Sequence, residues 1–171
     1  SGTLSSMAER CVAVYRVRYC GLWLQLYVLR EGERYRLLAG GPPNRNPQEV
    51  EELQVHGWEI PYLLKTFYRV HDGFGPLDNA SSFWYEDAIL PSAALSSLTR
   101  YMHSTEEVLF RPSDCLLFYP DGGGSGYCFQ RATKADRQPQ VVFWSCRTHE
   151  LSEAPSFLGL LKEITTPQQG N

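Results

Sequence analysis

The stretch Trp58–Phe74, WEIPYLLKTFYRVHDGF, decides how the rest of the chain is read. Ile60, Leu63, Leu64, Phe67 and Val70 recur at spacings of three and four, which gathers them on one face of a 3.6-residue helix and gives that face something to bury. Lys65, Thr66 and Arg69 fill the opposite side. Pro61 suits the first helical position, because its missing N–H would have no partner there, and Gly73 can take the left-handed conformation that closes a helix. The spacing predicts a helix with both ends marked. It carries no chemistry by itself.

Upstream of that segment, Gln48–Val55 bears Glu49, Glu51 and Glu52 near a helix start, where their charge complements the positive end of the dipole, and Gly57 ends the short helix this predicts. Residues 40–47, GGPPNRNP, disfavour both helix and ladder and mark an internal boundary. Before them the chain alternates. Val12–Tyr19 and Leu22–Arg30 both read as strands, joined by a hairpin at Cys20 and Gly21, and a turn at Gly32 leads to a third run, Arg34–Leu38. The expectation is a three-stranded meander over residues 12–38.

Downstream, residues 76–82 read as a loop and Phe83–Tyr85 as a short aromatic strand. Leu90–Ser92 turns into a second helix with Leu95, Leu98 and Met102 on one side. Cys115–Tyr119 and Gly126–Gln130 flank PDGGGS, whose glycines permit the positive φ of a tight connection, so a hairpin is expected. Residues 131–140 are polar and loop-like, and Gln140–Cys146 reads as a buried strand. The chain then finishes with a helix. Phe157, Leu160, Leu161 and Ile164 form its apolar face and Ser156 its cap.

A length of 171 residues favours one unit with a real core. We expect residues 1–8 to be a disordered leader or cloning remnant, 9–165 a single domain and 166–171 a disordered tail. No apolar run approaches the roughly 18 residues of a membrane span. A net charge of −3 without a Lys/Arg cluster makes nucleic acid and anionic membrane poor partners. The five cysteines are odd in number and none forms C-x-x-C, which favours buried, reduced thiols in an intracellular, cytoplasmic protein over disulfides or zinc. Neither a metal nor a cofactor is expected, since the four histidines form no helical ligand pair.

The order of these parts resembles the SMI1/KNR4 family of the SUKH superfamily. QEVEELQVHGWEIP is similar to the family's opening helix and the hydrophobic–Pro step that follows, here Ile60 and Pro61. YLLKTFYRVHDGF resembles its second helix, ending in aromatic residues and then Asp72 and Gly73. AILPSAALSSL, the hairpin LLFYPDGGGSGYCF, and VVFW before APSFLGLL resemble later elements, so that the likeness runs from about residue 47 to 164. The meander lies outside it. The resemblance implies an α+β fold, a twisted, mostly antiparallel sheet packed with helices, and a non-enzymatic protein-interaction module that acts as immunity protein or regulatory scaffold.

Two further functional readings are weighed against this one. His71 beside Asp72 suggests acid/base chemistry, yet neighbouring helical residues point about 100° apart, so a helix-end histidine and a capping aspartate is the simpler reading. A small hydrolase or transferase would need His71, Asp72, Asp121 and Cys128 to meet in one pocket. The meander's edge is the other alternative, as a surface for homodimerisation or strand addition in a monomer or weak homodimer. The glycine run after Asp121 lacks the Lys-Ser/Thr and the helix of a phosphate loop. For a protein partner the recognition surface expected is acidic and aromatic: Asp72, Phe74, Asp78, Trp84, Tyr85, Glu86 and Asp87, with Asp121 in the hairpin.

Overall fold

A computed structural model describes residues 7–19, 21–44, 46, 48, 50, 54–55, 58–77, 88–95, 99, 115–131 and 139–166. Alternation in the meander produces β1 (Cys11–Tyr19), β2 (Leu22–Glu31) and β3 (Arg34–Gly40), and Gly21 and Gly32 take the positive φ values their turns require. β3 also pairs with β6 (Phe74–Pro76), completing a four-stranded sheet of order β1-β2-β3-β6. The meander therefore does not stand apart from the family-like region. Leu29 and Leu38 enter the main core from one face of this sheet, while Leu24 and Ala39 pack beneath Leu77 on the other.

A second sheet has the order β10-β9-β8-β7, built from β7 (Cys115–Pro120), β8 (Gly126–Gln130), β9 (Gln140–Ser145) and β10 (Glu150–Glu153). Every strand pairing described is antiparallel. Residues 88–90 join the two sheets. Phe74 and Ile89 exchange backbone hydrogen bonds of 3.0 and 2.7 Å, and Leu90 N–H donates to the Phe118 carbonyl at 2.8 Å. The Tyr68 hydroxyl holds the same segment by donating to the Leu90 carbonyl at 2.9 Å. Among the described residues this is an α+β fold, with helices packed on antiparallel sheets as the sequence led us to expect.

The helix expected to start at Pro61 and to be closed by Gly73 is shorter, running from Tyr62 to Tyr68 (α1). Proline disfavours helical backbone at the residue before it, so Ile60 stays extended and Trp58–Glu59 becomes β5, paired with β4 (Gln54–Val55). That pairing also truncates the helix expected over 48–55, although residues 48 and 50 are helical and the Asn46 side chain accepts from Gln48 N–H at 3.2 Å. Pro61 is the N-cap rather than the first helical residue. Gly73 does adopt a φ of 94°, yet it lies beyond the helix end and turns the chain into β6.

The buried face of α1 also differs from expectation. Leu64, Lys65 and Tyr68 are buried, whereas Val70 is 57% exposed, because the helix ends before its periodicity reaches that residue. Lys65 buries its aliphatic stem and places its ammonium 2.6 Å from Glu59 on β5. The final helix, α2 (Phe157–Thr165), forms as expected, and the Ser156 side chain accepts from Gly159 N–H. Phe157 sits against Phe118 and Phe129, which stack at 4.4 Å between centroids.

The strand β10 was not anticipated, since ELSE has no apolar alternation and all of its residues are exposed. Met7 and Ala8, read as leader, belong to a helical turn over residues 7–10, and Met7 packs on the core. The aromatic strand at 83–85, the downstream positions Leu98 and Met102, and most of the 131–140 loop lie outside the described residues.

Candidate functional site

Both helices carry more apolar residues than the core uses. On α1, Leu64 and Tyr68 face inward while Leu63 and Phe67 stay half-buried. On α2, Phe157, Leu160 and Ile164 are buried, yet Leu158 is 58% exposed and Leu161 half-buried. The surplus residues line a groove of about 700 Å³ between the two helices, whose far wall is Met7, Cys11, Val14 and Tyr27. Its lining is overwhelmingly apolar. Val14, Val70 and Leu158 stand on it with more than half of their surface in contact with water, which is costly for aliphatic side chains without a partner.

His71 and Phe74 form part of the groove lining, stacked at 5.4 Å. In the neutral imidazole, Nδ1–H donates to the Gly41 carbonyl at 3.2 Å, which leaves Nε2 to accept from the Tyr27 hydroxyl at 2.8 Å. The Gln25 amide lies 2.8 Å from the same hydroxyl. Burial lowers the His71 pKa below its ordinary value, partly opposed by the Gly41 contact, so the ring is held neutral. Burial, with a smaller contribution from Cys11, raises that of Tyr27. The GGPP sequence has a reason here: a Cβ on Gly40 would approach His71 Nδ1 to 2.4 Å.

The residues proposed for hydrolase chemistry do not share partners. His71 is engaged through both nitrogens as described, and Asp72 accepts from Ser92 N–H at 2.6 Å and Ser92 Oγ at 3.1 Å, fixing the start of the helical turn at 92–95. Asp121 belongs to the hairpin, where its Oδ1 accepts from Gly123 N–H at 2.8 Å and Ser125 N–H at 2.9 Å. Two of the backbone donors that could cradle an anion, at Gly123 and Ser125, are thus already occupied by the chain's own carboxylate. Cys128 is wholly buried, and desolvation, with Cys115 nearby, raises its pKa well above the ordinary thiol value, the reverse of nucleophile activation.

Of the residues expected to recognise a partner, the structure places Phe74 in the groove lining, Asp72 against Ser92 and Asp121 in the hairpin turn. Asp78, Trp84, Tyr85, Glu86 and Asp87 lie outside the described residues. Sequence spacing puts Leu63, Phe67, Val70 and Leu161 on buried apolar faces and assigns Leu158 no role. The available signal was a pair of apolar stripes too wide for one buried face. Cys11, Cys115, Cys128 and Cys146 are not in disulfides, and among the described residues no cluster of three or more His, Cys, Asp or Glu could hold a metal ion. Among the described residues no helix is long and apolar enough to cross a membrane.

The family model of SMI1/KNR4, SUKH-1, matches residues 44–163. The chain belongs to the SMI1/KNR4 family. The match begins at the Pro-rich boundary and ends within α2, the span over which the sequence motifs resemble the family, and it leaves out the meander, whose strands β1 and β2 wall one side of the groove. No curated protein and no solved structure matches the chain. SMI1/KNR4 membership supports a non-catalytic domain of the immunity or scaffold type.

Proposed function

We propose that this chain is a non-enzymatic protein-interaction module, acting as an immunity protein or regulatory scaffold, and that the groove between α1, α2 and β1 receives its partner. The observation that carries this reading is the exposed aliphatic rim of Val14, Val70 and Leu158 around an apolar concavity, with Phe74 and Phe67 within it. Such a surface has the apolar centre that partner interfaces desolvate. The aromatic and acidic stretch Asp78 to Asp87, which follows Phe74 in the chain, is proposed to take part in partner recognition. The hydrogen bonds of His71, Asp72 and Asp121 go to separate segments of the chain, which supports the non-enzymatic reading over one that needs them in a shared site.

Affinity purification from the native host tests this directly, comparing the wild-type chain with Val70→Asp and Leu158→Asp. A specific protein set retained by the wild type and lost from both variants is the expected outcome. Equal recovery by all three, or turnover of a small molecule by the purified chain, would contradict it.

A further inference from the structure

The groove ends at Val14, and Val14 belongs to an open edge. β1 is nine residues long, pairs with β2 on one side, and among the described residues has no strand on the other. Along one face of β1, Val14, Arg16 and Arg18 lie opposite Tyr27, Gln25 and Trp23 of β2, so these side chains share the side on which the groove opens. Beyond Val14 a second hollow of about 420 Å³ begins, lined by Arg16, Trp23, Gln25, Pro42 and Pro43. The Arg16 guanidinium lies 4.6 Å from the Trp23 ring centroid. Arg16 and Arg18 are exposed, and among the described residues neither has an ion-pair partner.

We propose that β1 is extended by an antiparallel strand from a partner protein, a segment of the pattern acidic-x-acidic-x-apolar. Its acidic residues face Arg18 and Arg16 and its apolar residue enters the groove beside Val14. Strand addition satisfies the open backbone of the edge, while alternate side chains fill the hollows on one face and confer selectivity. This rests on the reading of the chain as a partner-binding module and names the chemistry of the partner.

Charge decides against the chain's own edges as occupants. Pairing of β1 with β1 of a second copy, centred on Tyr15, brings Arg16 and Arg18 of both copies onto one face with no acid between them. β10, the open edge of the other sheet, offers Glu150 and Glu153. Those two are three residues apart and point to opposite faces, whereas Arg16 and Arg18 share one. β10 is also four residues long, wholly exposed, and not part of the groove wall.

The test uses the full chain and a fluorescent peptide as long as β1 in which two aspartates and an isoleucine alternate with threonine in the stated order. Saturable binding is expected, together with slowed hydrogen exchange at β1 amides. The double variant Arg16→Glu/Arg18→Glu, its circular dichroism unchanged, weakens binding at least tenfold, and replacing the peptide's aspartates by lysine restores it. No binding, binding without β1 protection, or binding indifferent to charge reversal overturns the proposal. So does β1 protection that rises with protein concentration in the absence of peptide, since a second copy would then occupy the edge. If the native partner set is lost by Val70→Asp but kept by the charge-reversed protein, strand pairing fails while the interaction module stands; if both variants keep it, both readings fail.

Discussion

The glycine hairpin at Asp121 and the groove beneath Val70 depart from an ordinary packed surface in opposite ways. The hairpin is rich in chemically suggestive groups, an aspartate, successive glycines, a serine and a nearby cysteine. Each is spent locally: Asp121 holds the turn, and Ser125 Oγ accepts from Cys146 N–H at 3.0 Å. The groove has almost no suggestive chemistry, yet its aliphatic rim is left in water. A polar group whose bonds are satisfied within its own turn explains itself as structure. An apolar group left exposed beside a concavity requires something else to cover it.

The contrast predicts that hairpin substitutions act on stability and groove substitutions on partner capture. The largest stability loss is expected for Gly126→Ala, whose Cβ would meet the Tyr119 carbonyl at 2.5 Å and Pro120 Cα at 2.9 Å, both backbone atoms of the paired strand that cannot step aside. A cost of about 3 kcal/mol in urea unfolding is expected. Gly40→Ala crowds the His71 ring instead, and because a side chain yields more readily than backbone its cost is expected nearer ~1 kcal/mol. Asp121→Ala strands two backbone donors, one of them at exposed Gly123, and should lose about 1–2 kcal/mol while retaining the partner. Equal loss of partner in Asp121→Ala and Val70→Asp would erase the distinction.

The smallest effect concerns acid. Burial sets the folded His71 pKa below its unfolded value of about 6.5, so the unfolded chain takes up the proton first as pH falls. The contribution of neutral His71 is complete above that value and is lost as pH drops through the folded pKa. The urea midpoint should therefore fall less between pH 7 and pH 5 in His71→Gln than in the wild type. Identical falls in the two proteins would place the acid sensitivity elsewhere.

Much of the fold was legible in the sequence because period-two and helical patterns fixed the meander, the 115–130 hairpin, β9 and α2. Short elements escaped, since Gln54–Val55, Trp58–Glu59 and Glu150–Glu153 are too brief or too polar for alternation to show. The site was harder to see for a different reason. Leu63, Phe67, Leu158 and Leu161 have the same chemistry and spacing as Leu64 and Leu160, and only the placement of β1 and the residue 7–10 turn leaves the first group uncovered. His71 and Asp72 are adjacent in sequence, but their partners, Gly41 and Tyr27 for one and Ser92 for the other, come from different segments.

The groove is the surface that the proposed partner covers. The direct measurement is quantitative recovery of co-purifying proteins from the native host on wild-type, Leu158→Asp and Asp121→Ala chains of verified fold. Leu158→Asp should unfold within about 0.5 kcal/mol of wild type and yet lose the specific set at least tenfold, with Asp121→Ala retaining it. Full recovery on Leu158→Asp, at unchanged stability, would mean that the groove is not the partner surface.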